Sequence, residues 1–444
     1  MTSPIHSHHE MLATMADGTI KQINPFSGTQ VWTVPGRGDR PLNAPAADPV
    51  ALSPADFTST CAFCSDNMTS TPPEKTRIVQ TANGWEILRD TPVDKLHDTT
   101  AQFRRVPNLF EIVSYDYWNK NYDYNMPEDK RLHMQRYLAD DAGREHLLHI
   151  ARLRLGSHAQ GRSEEDLLTL APAYFGGGHD VVISRRHFID GAHDSSQLAS
   201  SGSLSPEEHR AFIRLTIDGV HELFRANRYA PYVAVFQNWL SPAGASFDHL
   251  HKQLVAIDER GASNDREIEK LRANQNMYNE FGVNYAFYKN LVIAENEHAI
   301  LIAGIGHRYP TVVLYSKSAA RQPWQMSEDE QRDFSDLLHA AHAATGAAIA
   351  CNEEWHYTPI DLDIPMPLRV NLKWRVSTLA GFEGGTRIYV NTLSPYDIRD
   401  RVVTNLYQLR AAGRIADTIG VATECTAVRN SLRYNPAVGG AGHL

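Results

Sequence analysis

The sequence predicts an α/β protein of the α+β kind, built from two copies of one helix-and-strand unit. Three observations carry this. Apolar runs alternate with turns from Ile20 to about Ile257. Two helices open on unmistakable caps, Ser205-Pro206-Glu207-Glu208 and Ser327-Glu328-Asp329-Glu330. A strand, a polar loop and a second strand follow each of those helices.

Residues 1–20 are polar and aperiodic and are expected to be loose. Strands are predicted at Thr29–Val34, Thr76–Gln80, Trp85–Arg89, Phe110–Ser114, Asp180–Ile183, Tyr232–Asn238 and His249–Ile257. Between Tyr117 and Leu170 lies a charged helical stretch (Asp129–Leu153, then Ser163–Leu170) that reads as an insertion. In the first capped helix Phe212, Ile213, Ile217, Val220, Leu223 and Phe224 share one face. In the second, Phe334, Leu337, Leu338 and Ala341 do so, with Gly346 as the stop. Ala348–Tyr357 and Arg369–Thr378 then repeat the earlier strand pair, laying Asn371 to Arg375 over His249 to Gln253. The expected organisation is a first repeat at 21–260 with the insertion 117–170, a degenerate second repeat at 270–425, and a tail at 426–444.

The chain has 444 residues, 42% apolar and 21% charged, with a net charge of −9. That balance suits a soluble globular protein and argues against nucleic-acid binding, which needs a broad basic surface. No apolar span has membrane length and no secretory leader is visible, so no membrane partner and a cytoplasmic location are expected.

Residues 244–253, Gly-Ala-Ser-Phe-Asp-His-Leu-His-Lys-Gln, hold the most chemistry. Strand alternation points His249, His251 and Gln253 one way and Leu250, Lys252 and Leu254 the other. Neutral imidazole is a good nucleophile toward phosphorus near pH 7, which makes His251 the candidate. Gln253 can donate to phosphate oxygens but cannot act as a general acid, which favours transfer over hydrolysis. Ser246 and the N–H groups of the Gly244–Ser246 turn are further candidate phosphate donors. Arg37 and Arg40 suit bidentate phosphate recognition. Cys61 and Cys64 form a C-x-x-C pair, open to metal binding, redox work or plain burial. A zinc site needs two more ligands, with His249, His187 and His179 as candidates. Cys351 and Cys425 are expected to be buried thiols.

With these residues in view, the chain resembles the galactose-1-phosphate uridylyltransferase family of the histidine-triad superfamily. The agreement spans roughly Asn24 to Arg401. Asn24-Pro25 with Arg37 and Arg40-Pro41 looks like that family's nucleotide-binding start. Cys61, Cys64, Asn67, Pro72, Pro73 and Glu74 look like its zinc-binding opening. Val106-Pro107-Asn108-Leu109-Phe110 is similar to the strand whose asparagine meets the nucleoside. Phe236-Gln237-Asn238, Gly244-Ala245-Ser246 and His249-x-His251-x-Gln253 match the active-site motif. Gly381-Phe382-Glu383-Gly384-Gly385-Thr386 is reminiscent of the plant-type ADP-glucose phosphorylase branch.

The resemblance implies two histidine-triad-like repeats, each a mostly antiparallel sheet with a packed helix. It implies a structural Zn²⁺ on Cys61, Cys64, His187 (not His179) and His249. It further implies nucleotidylation of His251, with Gln253 and Ser246 on the phosphates and Arg37, Arg40, Asn108, Phe110, Asn238 and Glu383 on the substrate. The implied reaction moves a nucleoside monophosphate from a nucleotide sugar to a sugar phosphate. A phosphorylase using inorganic phosphate, or a non-catalytic zinc- and nucleotide-binding protein, are the alternatives. Lys252, Lys373 and Arg375 are candidates to favour a small, highly charged acceptor. Homodimers are common among such duplicated units. The chain also departs from the family: Leu250 stands for proline, Lys252 for a small residue, and Trp239-Leu240 for a glycine. Asn371 and Lys373 stand where a second metal-binding histidine pair is usual, so no second metal is expected.

Overall fold

The computed structural model describes residues 10–36, 48–426 and 428–437. The strands, in chain order, are β1 (Leu12–Thr14), β2 (Ile20–Ile23), β3 (Gln30–Thr33), β4 (Thr76–Thr81), β5 (Gly84–Arg89), β6 (Ala101–Pro107), β7 (His179–Ser184), β8 (Tyr232–Trp239), β9 (His251–Ile257), β10 (Val292–Glu295), β11 (Ala299–Ala303), β12 (Thr311–Ser316), β13 (Cys351–His356), β14 (Arg369–Trp374), β15 (Ile388–Asn391) and β16 (Gly420–Val421).

Four of them form a small sheet, β1-β2-β3-β15, whose β3–β15 pair is parallel. The other twelve form one antiparallel sheet, ordered β16-β10-β11-β12-β14-β13-β8-β9-β7-β6-β4-β5. Read outward from the central β13–β8 pair, the order is β13-β14-β12-β11-β10 on one side and β8-β9-β7-β6-β4 on the other. The two halves therefore use the same strand order, which is the duplication expected from the repeated helix and strands. At the seam Asn352 pairs with Asn238 and Glu353 with Gln237.

Both capped helices form as their sequences dictate. Pro206–Ala226 starts on the Ser205–Glu208 capping box and buries all six predicted apolar residues. Glu328–Thr345 starts on the Ser327–Glu330 box, buries Phe334, Leu337, Leu338 and Ala341, and ends at Gly346 with φ +88°. Burying each valine, leucine, isoleucine or phenylalanine among them is worth about 1.5–3 kcal/mol. Phe212 of the first helix stacks on Phe103 of β6 at 4.8 Å. Gly219 lets that helix approach β9, since a Cβ there would lie 2.7 Å from Leu254 Cδ1.

His209, His339 and His342 meet between the two helices, with His209 5.4 Å from His339 and 6.4 Å from His342 by ring centroid. Burial lowers all three, His339 to about 4. Below the ordinary histidine value the unfolded chain takes up protons that the folded chain refuses, so stability must fall as pH drops. His339 alone should cost about 2 kcal/mol by pH 5. Urea unfolding at pH 7 and pH 5 measures this, and equal midpoints would contradict it.

The insertion is helical, with Tyr115–Tyr122, Glu128–Ala139, Asp141–Leu155, Glu164–Leu168 and Ala171–Gly176. It has its own small core of Tyr137, Leu147, Ile150, Tyr174 and Phe175. Tyr122 donates to Asp258 Oδ2 at 2.5 Å and Tyr117 donates to the same oxygen, tying the insertion to the end of β9.

Three expectations change. Phe110–Ser114 is irregular, and the strand there is β6, which ends at Pro107. Leu12–Thr14, expected to be loose, pairs with β2 and buries Leu12. Leu432 and Tyr434, in the expected tail, belong to the main core. Among the described residues no helix is long and apolar enough to cross a membrane.

Candidate functional site

The turn Cys61–Cys64 brings two sulfurs together. Cys64 N–H donates to Cys61 O at 3.1 Å, and Asn67 Nδ2 donates to Cys61 O at 3.0 Å. His187 follows β7 and His249 precedes β9, so the pairing of β7 with β9 carries both imidazoles to the sulfurs. His249 Nε2–H donates to Ser184 O at 2.8 Å, which leaves its Nδ1 lone pair for the cluster.

The edges of the cluster test whether a metal fits. Cys61 Sγ lies 3.8 Å from Cys64 Sγ and 3.5 Å from both His187 Nδ1 and His249 Nδ1. Cys64 Sγ lies 3.5 Å from His187 Nδ1 and 3.7 Å from His249 Nδ1. A tetrahedral zinc with ordinary bond lengths requires edges of about 3.8 Å between sulfurs and about 3.6 Å from sulfur to nitrogen. The donor set fits that ion in chemistry and in size, and these four residues could hold it. Without a cation, hydrogen bonding from Cys61 lowers the Cys64 thiol and the same contact raises Cys61.

His251 is the first residue of β9 and is 5% exposed. Its Nδ1 lies 2.7 Å from His249 O, an acceptor only, so Nδ1 carries the proton. Nε2 then holds the lone pair, and it has no partner among the described residues. Burial pushes His251 down to about 4, so the ring is neutral near pH 7. Phe63 stands edge-on to the ring at 5.2 Å and packs on Phe247 at 4.5 Å. A neutral imidazole, fixed in tautomer and rotamer, with one free nitrogen, can attack an electrophile.

The other predicted residues lie as follows. Gln253 is two positions along the same face and faces Phe236 of β8 across the ladder. Asn238 is two residues further along β8 and accepts from Asn352 Nδ2 at 2.7 Å. Asn108 closes β6, with its N–H on His179 O at 2.7 Å. Phe110 and Ile112 stand 68% and 67% exposed beside it, apolar surface open to a ligand. Ser246 is exposed and makes no hydrogen bond among the described residues. The expected donors Gly244 and Ala245 are already used, by Ser241 O and Leu240 O. Glu383 accepts from Ala380 N–H and Val390 N–H, capping its own short helix apart from β9. Arg37 and Arg40 lie outside the described residues.

Lys252 does not face the acceptor side. It lies on the reverse of β9, fully buried, with Nζ 2.6 Å from both oxygens of Glu353. Lys373 is paired with Glu354 at 2.5 Å. Arg375 instead reaches Asn352 Oδ1 at 2.7 Å and has no carboxylate partner among the described residues. His179, weighed as a metal ligand, is not in the cluster. It sits against Gln253 at 3.0 Å, a contact set by the register of β7 on β9 that no local spacing announces.

A family model described as a domain of unknown function (DUF4921) matches residues 15–434. No curated protein matches the sequence. Among solved structures, the fold is similar to that of an ADP-glucose phosphorylase from Arabidopsis thaliana with bound ADP-glucose, with TM-score 0.57 and 17% identity over 87% of this chain and 98% of that one. It is also similar to a galt-like protein from Arabidopsis thaliana, with TM-score 0.54 and 18% identity over the same shares of each chain. The mixed α+β architecture with large antiparallel sheets is thus shared with the proteins the sequence resembles.

Proposed function

We propose that this chain, which belongs to the DUF4921 family, is a nucleotidyl-transferring enzyme acting on sugar nucleotides, with His251 as its nucleophile. The observation that carries the proposal is the geometry of His251, whose Nδ1 is held by the carbonyl of His249 and whose Nε2 has no partner among the described residues. The likeness to an ADP-glucose phosphorylase supports the substrate class.

The reaction runs in two displacements. The Nε2 lone pair attacks the α-phosphorus of a nucleoside diphosphate sugar. The bond from that phosphorus to the bridging oxygen breaks, and the electron pair leaves on the departing sugar phosphate. The new N–P bond places positive charge on the ring, which the Nδ1–H···O contact to His249 stabilises. An oxygen of a second phosphate then attacks the same phosphorus, the N–P bond breaks, and its electrons return to Nε2. Gln253 can donate to the phosphates, and the exposed Phe110 and Ile112 offer a surface for the nucleoside. Zinc held by Cys61, Cys64, His187 and His249 would supply rigidity, since it would pin the start of β9 two residues before the nucleophile.

Incubation with ADP-glucose and with UDP-glucose, followed by intact-mass measurement, tests the reading. The expected result is a gain of one nucleoside monophosphate from at least one donor. Binding without any adduct would favour the non-catalytic alternative. Supplying the adduct with inorganic phosphate or with a hexose phosphate then separates phosphorylase from uridylyltransferase-like transfer. For the metal, the purified chain should carry about one zinc, and Cys64→Ser should hold less than about a tenth of that. Elemental analysis showing equal zinc in both would remove the site.

A further inference from the structure

We propose that His179 is a positioning residue that turns Gln253 so that the face of β9 beside His251 offers hydrogen-bond donors alone, and so selects an ionised phosphate oxygen. The inference rests on the function proposed above and deepens it by naming what sets the polarity of the phosphate site.

His179 opens β7, pairs with Val255 of β9, and is 1% exposed. Its Nδ1 lies 3.1 Å from the backbone N–H of Ile112. A backbone N–H donates and cannot be flipped, so Nδ1 is the acceptor and the ring proton is on Nε2. That Nε2 lies 3.0 Å from Gln253 Oε1 and 3.1 Å from Asn108 Nδ2. It has one proton to give, and the glutamine oxygen is the only acceptor of the two. Gln253 therefore spends its oxygen on His179 and keeps both N–H bonds of its amide for a ligand.

Asn108 reaches the same state by another route. Its Oδ1 accepts from Phe110 N–H at 2.8 Å, again a backbone donor, so its NH₂ is the end left over. Neither amide nitrogen has an acceptor among the described residues. Two amides that could each have offered an oxygen to a ligand are both tied so that they cannot. An ionised phosphate oxygen only accepts and is satisfied there, while a neutral hydroxyl or amide can use such donors only in part. Burial also lowers His179, which keeps the ring in the one-proton form this arrangement needs.

The function of Gln253 then depends on a residue that never touches substrate. Calorimetric titration of the full chain with ADP, UDP and the parent nucleosides tests this. His179→Leu, which removes the donor, should weaken the better nucleoside diphosphate about tenfold, the order of one hydrogen bond to a charged group. His179→Gln restores an N–H near the Nε2 position and should stay within about threefold of wild type. In a Gln253→Met background, His179→Leu should cost less than about twofold, because its effect runs through the glutamine. Nucleoside binding, which lacks the phosphates, should not change. Should the leucine variant fail to fold, His179→Asn, whose amide falls short of Gln253, replaces it. Unchanged diphosphate affinity in the leucine variant, failure of the glutamine variant to rescue, or a full loss persisting without Gln253 would each overturn the inference. If those results came with a normal adduct on His251, only the role of His179 would fall. If wild type bound no nucleotide and formed no adduct, the proposed function would fall with it.

Discussion

His251→Ala is expected to lose the covalent adduct entirely and to lower turnover by about 10⁴-fold or more, the scale seen when a covalent nucleophile is removed. The expectation follows from what the site leaves available. His249 Nδ1 faces the sulfurs and its Nε2 is held by Ser184 O. His179 has both nitrogens engaged, and Gln253 is no nucleophile. Of His249, His179 and His251, His251 alone keeps a ring nitrogen, Nε2, with no partner among the described residues. On the proposed reading nucleotide binding should fall much less, since Gln253, Asn108 and the apolar Phe110–Ile112 surface remain. The adduct is read by intact mass and the turnover by release of sugar phosphate. Wild-type turnover in the alanine variant would end the mechanism.

Lys252→Met is expected to destabilise the fold by about 3–5 kcal/mol, the cost of stranding one member of a buried ion pair. Lys252 and Glu353 are 0% and 1% exposed at the side chain. Burial alone would raise the Glu353 carboxyl, but the Lys252 ammonium and then His342 hold it below the usual carboxylate range. His342 Nε2 lies 2.7 Å from Glu353 Oε2, Trp355 Nε1 donates to Oε1 at 2.5 Å, and Gln237 Oε1 accepts from Lys252 at 3.1 Å. Removing the lysine leaves a carboxylate in apolar surroundings with only neutral donors. Adding Glu353→Gln should recover more than half of the loss, because no charge is then left alone. Denaturant unfolding of the single and double variants measures both, and a single-variant loss below about 1 kcal/mol would show the pair to be dispensable.

Some of this was legible in the sequence, for physical reasons. Alternation with period two put His251 and Gln253 on one face and Lys252 on the other, because a strand allows nothing else. The capped helices were legible because capping boxes act over four residues. What depends on distant partners was not. Lys252 meets a glutamate 101 positions away, and His179 meets Gln253 from 74 positions away. Phe110–Ser114 has the apolar content of a strand, yet the backbone there turns to serve Asn108 and His179 instead of a ladder. β10 to β12 are buried on both faces, so they carry no alternation to read. Leu240, the second residue of the Trp239-Leu240 pair, adopts φ 65° and ψ 156°, a conformation that suits glycine and that no local pattern in the sequence announces.

The β8–β13 seam has a mechanical consequence. Main-chain hydrogen bonds run without interruption from one half of the sheet to the other, so the halves cannot hinge about each other as separately jointed lobes. Beside His251, the segments that stand outside this ladder are the connections 108–114 and 241–248, and it is there that local rearrangement is left open.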